Sequence, residues 1–307
     1  MTEKNIPKSD SLIFIDTNIY LDFYRIRKSN VSMKYLEEIV KHKNLIITSS
    51  QVEMEYKKNR QSAILESITE INKISVNLNV PTIFSNDEAV EKMKKSKKEI
   101  DELQKKLKTL IEEVLKNPNI KDPVYKSLEN IFTNKSPINL DRKNEIRFKI
   151  RELANKRFNL GYPPRKKDDN SIGDAVNWEW IIKCAEENKK NIILVTRDTD
   201  FGVIYDNESY INDWLRQEFI QRIGKKQTIF LTDKLSKAFQ LVQIPVTEEM
   251  IEEEEKVIKF SNNLSIYDTV RAMGKASENL KMINESREFS MRIQRAMEYM
   301  NNIKNIK

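Results

Sequence analysis

Leu12-Ile13-Phe14-Ile15-Asp16-Thr17-Asn18 decides how the rest of the chain is read. Four apolar residues without a polar interruption suit a strand buried on both faces, and the switch to Asp-Thr-Asn marks its end. Three further runs share that build: Leu45–Thr48, Ile192–Thr196 and Thr228–Thr232. Helical spacings lie between them. Met33, Leu36, Ile39 and Val40 recur through Ser32–Lys43, and Val52, Tyr56, Ala63, Ile64, Ile68 and Ile71 through Gln51–Ile74. Strands alternating with helices predict an α/β fold with a parallel sheet.

Working outward, the stretch 76–160 reads differently. From Asn86 to Lys116 it is almost all Lys, Glu, Leu and Ile, with Met93, Ile100, Leu107 and Val114 seven apart and Leu103 and Leu110 three beyond two of them. This narrow seam predicts a long helix packed against another. Pro118, Pro123 and Pro137 break the pattern, and Asp141–Asn155 resumes it. The stretch is expected to be a helical insertion in a domain spanning 1–243, either a solvated arm or one that grips substrate. Past Gln243 the strand signal ends. Residues 244–307 read as a helical extension: Glu252–Glu255 is an acidic block, and Leu264–Ile303 carries an amphipathic, methionine-rich face. Such a face folds back on the core or serves a protein partner or homo-oligomer.

Composition narrows the chemistry. The single histidine, His42, excludes zinc motifs with two histidines, and the single cysteine, Cys184, excludes an intrachain disulfide and thiolate metal clusters. Five glycines in 307 residues, against about 7% in average proteins, disfavour glycine-rich phosphate loops. The net charge of +7 is compatible with a polyanionic partner such as nucleic acid. Met1–Asp10 is polar with no apolar stretch behind it, and no run approaches the roughly 18 apolar residues of a membrane helix. A cytoplasmic protein with no membrane partner is expected.

Acidic residues follow the strands. Asp16 follows the first run, Asp198 and Asp200 follow Ile192–Thr196, Glu53 and Glu55 start the helix after the second, and Asp174 starts the helix leading to the third. Ligands of open α/β sheets gather at the carboxyl ends of strands. Several acids at one edge raise each other's pKa unless a cation offsets them. With oxygen donors alone, that cation would be Mg²⁺ or Mn²⁺. A basic protein with such a site is a candidate phosphodiesterase. Each acid also has a structural reading: Asp16 as a helix cap, Asp174 in a capping box with Ser171, Asp198 and Asp200 in Asx-turns, Glu55 in a surface pair with Lys58. His42 reads as a contact at a helix C-terminus, and Trp178 and Trp214 read as core.

These residues resemble the PIN domain, a metal-dependent nuclease superfamily. Ile13–Asn18 resembles its first motif. Gln51-Val52-Glu53-Met54-Glu55-Tyr56 running into Asn59-Arg60, with Pro163-Pro164 and Gly173-Asp174 followed by Trp178, is similar to its bacterial DUF4935-type branch, and Thr196-Arg197-Asp198 resembles its last motif. The resemblance covers about 11–60 and 160–235. It implies a PIN-type parallel sheet flanked by helices and Mg²⁺- or Mn²⁺-dependent endonucleolytic cleavage, usually of single-stranded RNA, with a toxin or defence role. The acids it implies are Asp16, Glu55 rather than Glu53, Asp174 and Asp198, with Asp200 in reserve as a metal ligand. Asn18 and Thr196 would orient them, and Arg60 would bind a phosphate or form an ion pair. Asp168 and Asp169, on the loop after Pro164, read either as solvated surface acids or as further acids that reach the site. The alternatives are a DNA nuclease, a non-catalytic binding module of the same fold, and an assembly subunit.

Overall fold

The computed structural model of the protein describes residues 10–73, 79–165 and 171–260. The expected tail at 264–303, and Asp168 and Asp169, lie outside these residues. The chain divides into two compact units, Met1–Glu254 and Glu255–Lys307, and the sheet with all its labelled helices belongs to the first. Five parallel strands make the sheet: β1 (Ser11–Ile15), β2 (Ile46–Ser49), β3 (Asn139–Leu140), β4 (Asn191–Val195) and β7 (Ile229–Thr232), in the order β3-β2-β1-β4-β7. β1, β2 and β4 are buried at every residue, as uninterrupted apolar strands covered on both faces must be. A separate antiparallel hairpin joins β5 (Gly202–Tyr205) to β6 (Glu208–Ile211). Its turn residues Asp206 and Asn207 both have positive φ, which Asp and Asn tolerate best after glycine.

Strand order reverses at β1, because β2 lies on one side of it and β4 on the other. The register sets Ile15 opposite Val195, so the residues that follow, Asp16 and Thr196, emerge side by side. The Asp16 amide bonds the Val195 carbonyl at 3.0 Å and closes that edge.

The helices are α1 (Thr17–Leu21), α2 (Ser29–Lys41), α3 (Ser50–Lys73), α4 (Glu88–Lys116), α5 (Pro118–Lys121), α6 (Pro123–Phe132), α7 (Ile146–Asn159), α8 (Gly173–Asn188), α9 (Asp213–Ile223) and α10 (Leu235–Leu241). α8 is the central one, with Trp178, Trp180, Ile181 and Ile182 all at most 1% exposed. Its buried polar groups are paired. Trp178 Nε1 donates to Glu218, Trp180 Nε1 donates to the Thr48 carbonyl, and Glu179 takes both Arg157 and Arg222.

The stretch expected to be a helical insertion does hold the long α4. It also contributes the two-residue strand β3, which pairs with β2, and α6 places Val124, Leu128, Ile131 and Phe132 in the core. The seam of α4 was expected to pack on another helix. It stands largely open instead: Met93, Leu103, Leu107 and Leu110 are 44–60% exposed. Trp214, expected in the core, is 46% exposed and leans on Tyr162 with ring centroids 5.0 Å apart, because α9 turns Leu215 and Phe219 inward instead. The acidic block Glu252–Glu255 is partly buried. Glu254 is buried, and its carboxylate accepts from the amides of Leu235 and Ser236, capping α10 from a distant segment. His42 ends α2 as expected, with its Nδ1 2.9 Å from the Glu38 carbonyl oxygen.

Candidate metal centre

Asp16 is fixed from three sides. It is the N-cap of α1, and Oδ1 accepts from the Thr17 amide at 2.6 Å. Oδ2 accepts from Asn18 Nδ2 at 2.6 Å and from the Thr196 hydroxyl at 2.5 Å. Thr196 in turn accepts from the Asp198 amide at 2.9 Å, so the end of β4 is tied to the end of β1. The capping role and the site role expected of Asp16 therefore coincide. Asn18 and Thr196 act on the carboxylate, as orienting groups would.

Glu55 arrives from α3, which starts directly after β2. Its Oε2 accepts from the Thr17 hydroxyl at 3.1 Å and its Oε1 from Gln51 Nε2 at 2.7 Å. Glu53 points elsewhere, bonding Lys57 at 2.7 Å. Asp174 lies in the first turn of α8. The helix reaches Glu55 only because residue 173 is glycine: a Cβ there would sit 2.3 Å from Glu55 Oε1 and 2.9 Å from Gln51 Nε2. The N-cap of α8 is Ile172, not the Ser171 expected to open a capping box. The Ser171 hydroxyl accepts instead from the Gly173 amide at 3.3 Å. Asp198 and Asp200 follow β4 in the expected Asx-turn, with the Asp200 amide donating to Asp198 Oδ1 at 3.0 Å.

One cleft of about 280 Å³ is lined by Asp16, Asn18, Glu55, Asp174 and Asp198, with Gln51, Lys58 and Ser171. Asp174, Asp198 and Asp200 each bring a carboxylate oxygen within 4.8 Å of the other two. Burial pushes the Asp16 carboxyl up from its ordinary 3.8 to about 6; the charges of Glu55 and Asp198 push the same way, against the bonds from Thr196 and Thr17. The residues fit a hard divalent cation. The acids supply oxygen donors, and Asn18 Oδ1 is buried with no hydrogen-bond partner.

Arg60 does not join them. Only 3% exposed, it donates from Nε to Asp122 Oδ2 at 2.8 Å and from a terminal nitrogen to the Val114 carbonyl at 2.9 Å. The phosphate role expected of it is corrected to the ion-pair role. Asp122 caps α6, so the pair fastens α3 to α6. Among the described residues, the cation lining the cleft is Lys58, one helical turn beyond Glu55 and exposed. Its i,i+3 spacing from Glu55 reads as an ordinary surface pair, which is why the sequence points past it. Gln51 was legible only as part of a motif, and its work on Glu55 was not.

A family model described as the PIN domain matches residues 13–201, more than half of the chain and all the acids of the cleft. The chain belongs to the PIN domain family. No curated protein and no solved structure is significantly similar to it. PIN domains are in general metal-dependent nucleases that bind nucleic acid, so the cleft lies in a nuclease-type fold with acids able to hold a metal. Among the described residues no helix is long and apolar enough to cross a membrane.

Proposed function

We propose that the protein is an Mg²⁺- or Mn²⁺-dependent endoribonuclease that cuts unpaired RNA in the cytoplasm, with a toxin or defence role. The observation that carries this reading is the meeting of acids from four separate chain segments in one cleft. In the proposal Asp16, Glu55, Asp174 and Asp198, with Asp200, hold the ion. A bound divalent ion would make a coordinated water more acidic and offset charge on the phosphate. The chain's own groups do the positioning. Thr196 and Asn18 aim one oxygen of Asp16, and Thr17 and Gln51 aim the two oxygens of Glu55. Lys58 takes a phosphate oxygen at the rim, where a flexible ammonium suits a polyanion that must enter and leave. The preference for RNA and the defence role rest on the resemblance to PIN-type motifs, and the reading of 244–307 as a helical extension rests on its amphipathic spacing.

The test is cleavage of unpaired RNA and of DNA, side by side, with Mn²⁺, with EDTA and with Asp16→Asn. Cleavage of RNA that needs both the ion and Asp16 is the expected result. Equal activity in all three arms overturns the proposal, and preferential cutting of DNA replaces RNA as the substrate. RNA binding with neither cleavage nor Mn²⁺ binding by calorimetry identifies a non-catalytic module.

A further inference from the structure

The open seam of α4 has no use in the cleft. It repeats every seven residues, with Met93, Ile100 and Leu107 in one row and Ser96, Leu103 and Leu110 in the other. On one flank, Val90 is buried and Lys97, Gln104 and Ile111 are half-buried, so that side already rests on the molecule. The opposite flank carries Lys92, Glu99, Lys106 and Glu113 at the same spacing and faces outward, with Lys92, Glu99 and Lys106 exposed. Leucines 44–60% exposed in a regular stripe cost solvation free energy that an isolated arm does not recover.

We infer that this face is a self-association surface, and that α4 pairs antiparallel with α4 of a second copy about a two-fold axis near residues 101 and 102. The flanking charges select that occupant and that direction. In an antiparallel pair with Ile100 facing Leu103 of the second copy, Met93 meets Leu110 and Leu107 meets Ser96. The open flanks then face each other, Lys92 against Glu113 and Glu99 against Lys106. The two-fold axis repeats both, so all four pairs are of opposite charge. A parallel pair instead sets Lys92 against Lys97 and leaves Glu99 and Lys106 facing Gln104 and Ile111. It also needs the flank that is already covered. Charges beside an apolar seam commonly decide partner and orientation in this way, and a two-fold contact is self-complementary by construction. Within the chain Lys92 bonds Glu88 at 2.7 Å and Glu113 bonds Lys121 at 3.5 Å, both exposed pairs of the kind that contribute little.

The test uses the full chain in three forms, weighed by analytical ultracentrifugation at low salt. Wild type is expected at twice the monomer mass. Lys92→Glu with Lys106→Glu makes the flank wholly acidic, and Glu99→Lys with Glu113→Lys makes it wholly basic. Each variant alone should dissociate at least about tenfold more readily, since like charges then oppose, and an equimolar mixture should regain the wild-type dimer. Circular dichroism and Mn²⁺ calorimetry check that both variants keep the fold and the cleft. A monomeric wild type overturns the inference, including one that binds RNA through this lysine-rich arm. So does a wild-type dimer that both variants retain, or a mixture that fails to pair.

Discussion

Two pairs of carboxylates in this molecule, Asp122 with Glu179 and Asp16 with Glu55, are neutralised differently. Asp122 is met by the Arg60 guanidinium at 2.6 Å, and Glu179 lies between Arg157 and Arg222. In the cleft, Asp16 and Glu55 have only uncharged donors for bonding partners: Thr17, Asn18, Thr196 and Gln51. Arginines meet Asp122 and Glu179, whereas the described partners of Asp16 and Glu55 carry no charge. A buried charge without a counter-charge is unfavourable, and the raised pKa of Asp16 records that cost.

The sharpest way to break this contrast is at Arg60. Arg60→Met leaves Asp122 buried without its cation and should cost about 3–5 kcal/mol, read from urea unfolding. Unchanged stability with weakened RNA binding would restore the phosphate role to this arginine.

Next comes Asp16→Asn, with the opposite sign. The folded Asp16 carboxyl holds its proton more tightly than the unfolded one. Its contribution to stability is therefore complete below pH 3.8 and lost as pH rises through about 6. With EDTA present, the wild type should lose up to about 3 kcal/mol across that window. Asp16→Asn should flatten the loss, leaving the metal-free variant more stable than wild type at pH 7 and unable to gain from Mn²⁺. A variant less stable than wild type at every pH would make Asp16 an ordinary cap.

A smaller effect is expected from Gly173→Ala. The added methyl falls on Glu55 Oε1, so Mn²⁺ affinity should drop about tenfold, or 1.4 kcal/mol, in calorimetry while the far-ultraviolet spectrum is kept. Lys58→Ala should do least. Losing one phosphate contact should weaken RNA binding a few-fold and lower the slope of log affinity against log salt by about 1, with Mn²⁺ affinity unchanged.

Much of the fold was legible because the sheet interior tolerates only apolar side chains. The runs at Leu12, Leu45, Ile192 and Thr228 became β1, β2, β4 and β7. β3 was not legible, since two residues are too few to show a period. The hairpin Gly202–Ile211 was missed because it is half in solvent: Val203, Ile204, Tyr205 and Tyr210 are all at least 50% exposed, and no buried face disciplines their pattern. Its clearest local mark was the turn pair Asp206-Asn207. In the cleft, the acids could be read from strand ends and spacing. Arg60 and Lys58 could not be told apart, because burial depends on Asp122, 62 residues away. Trp214 was misread for a related reason: with Leu215 and Phe219 beside it, α9 had more apolar residues than its inward face could take.

The N-cap at Asp16 gives the cleft a resident reporter. The Thr17 amide donates its proton to the same carboxylate that lines the cavity, with nitrogen and oxygen 2.6 Å apart. Whatever draws electron density from that carboxylate will move the Thr17 resonance. Occupancy can then be titrated by nuclear magnetic resonance at a single backbone position, in protein that is turning over nothing.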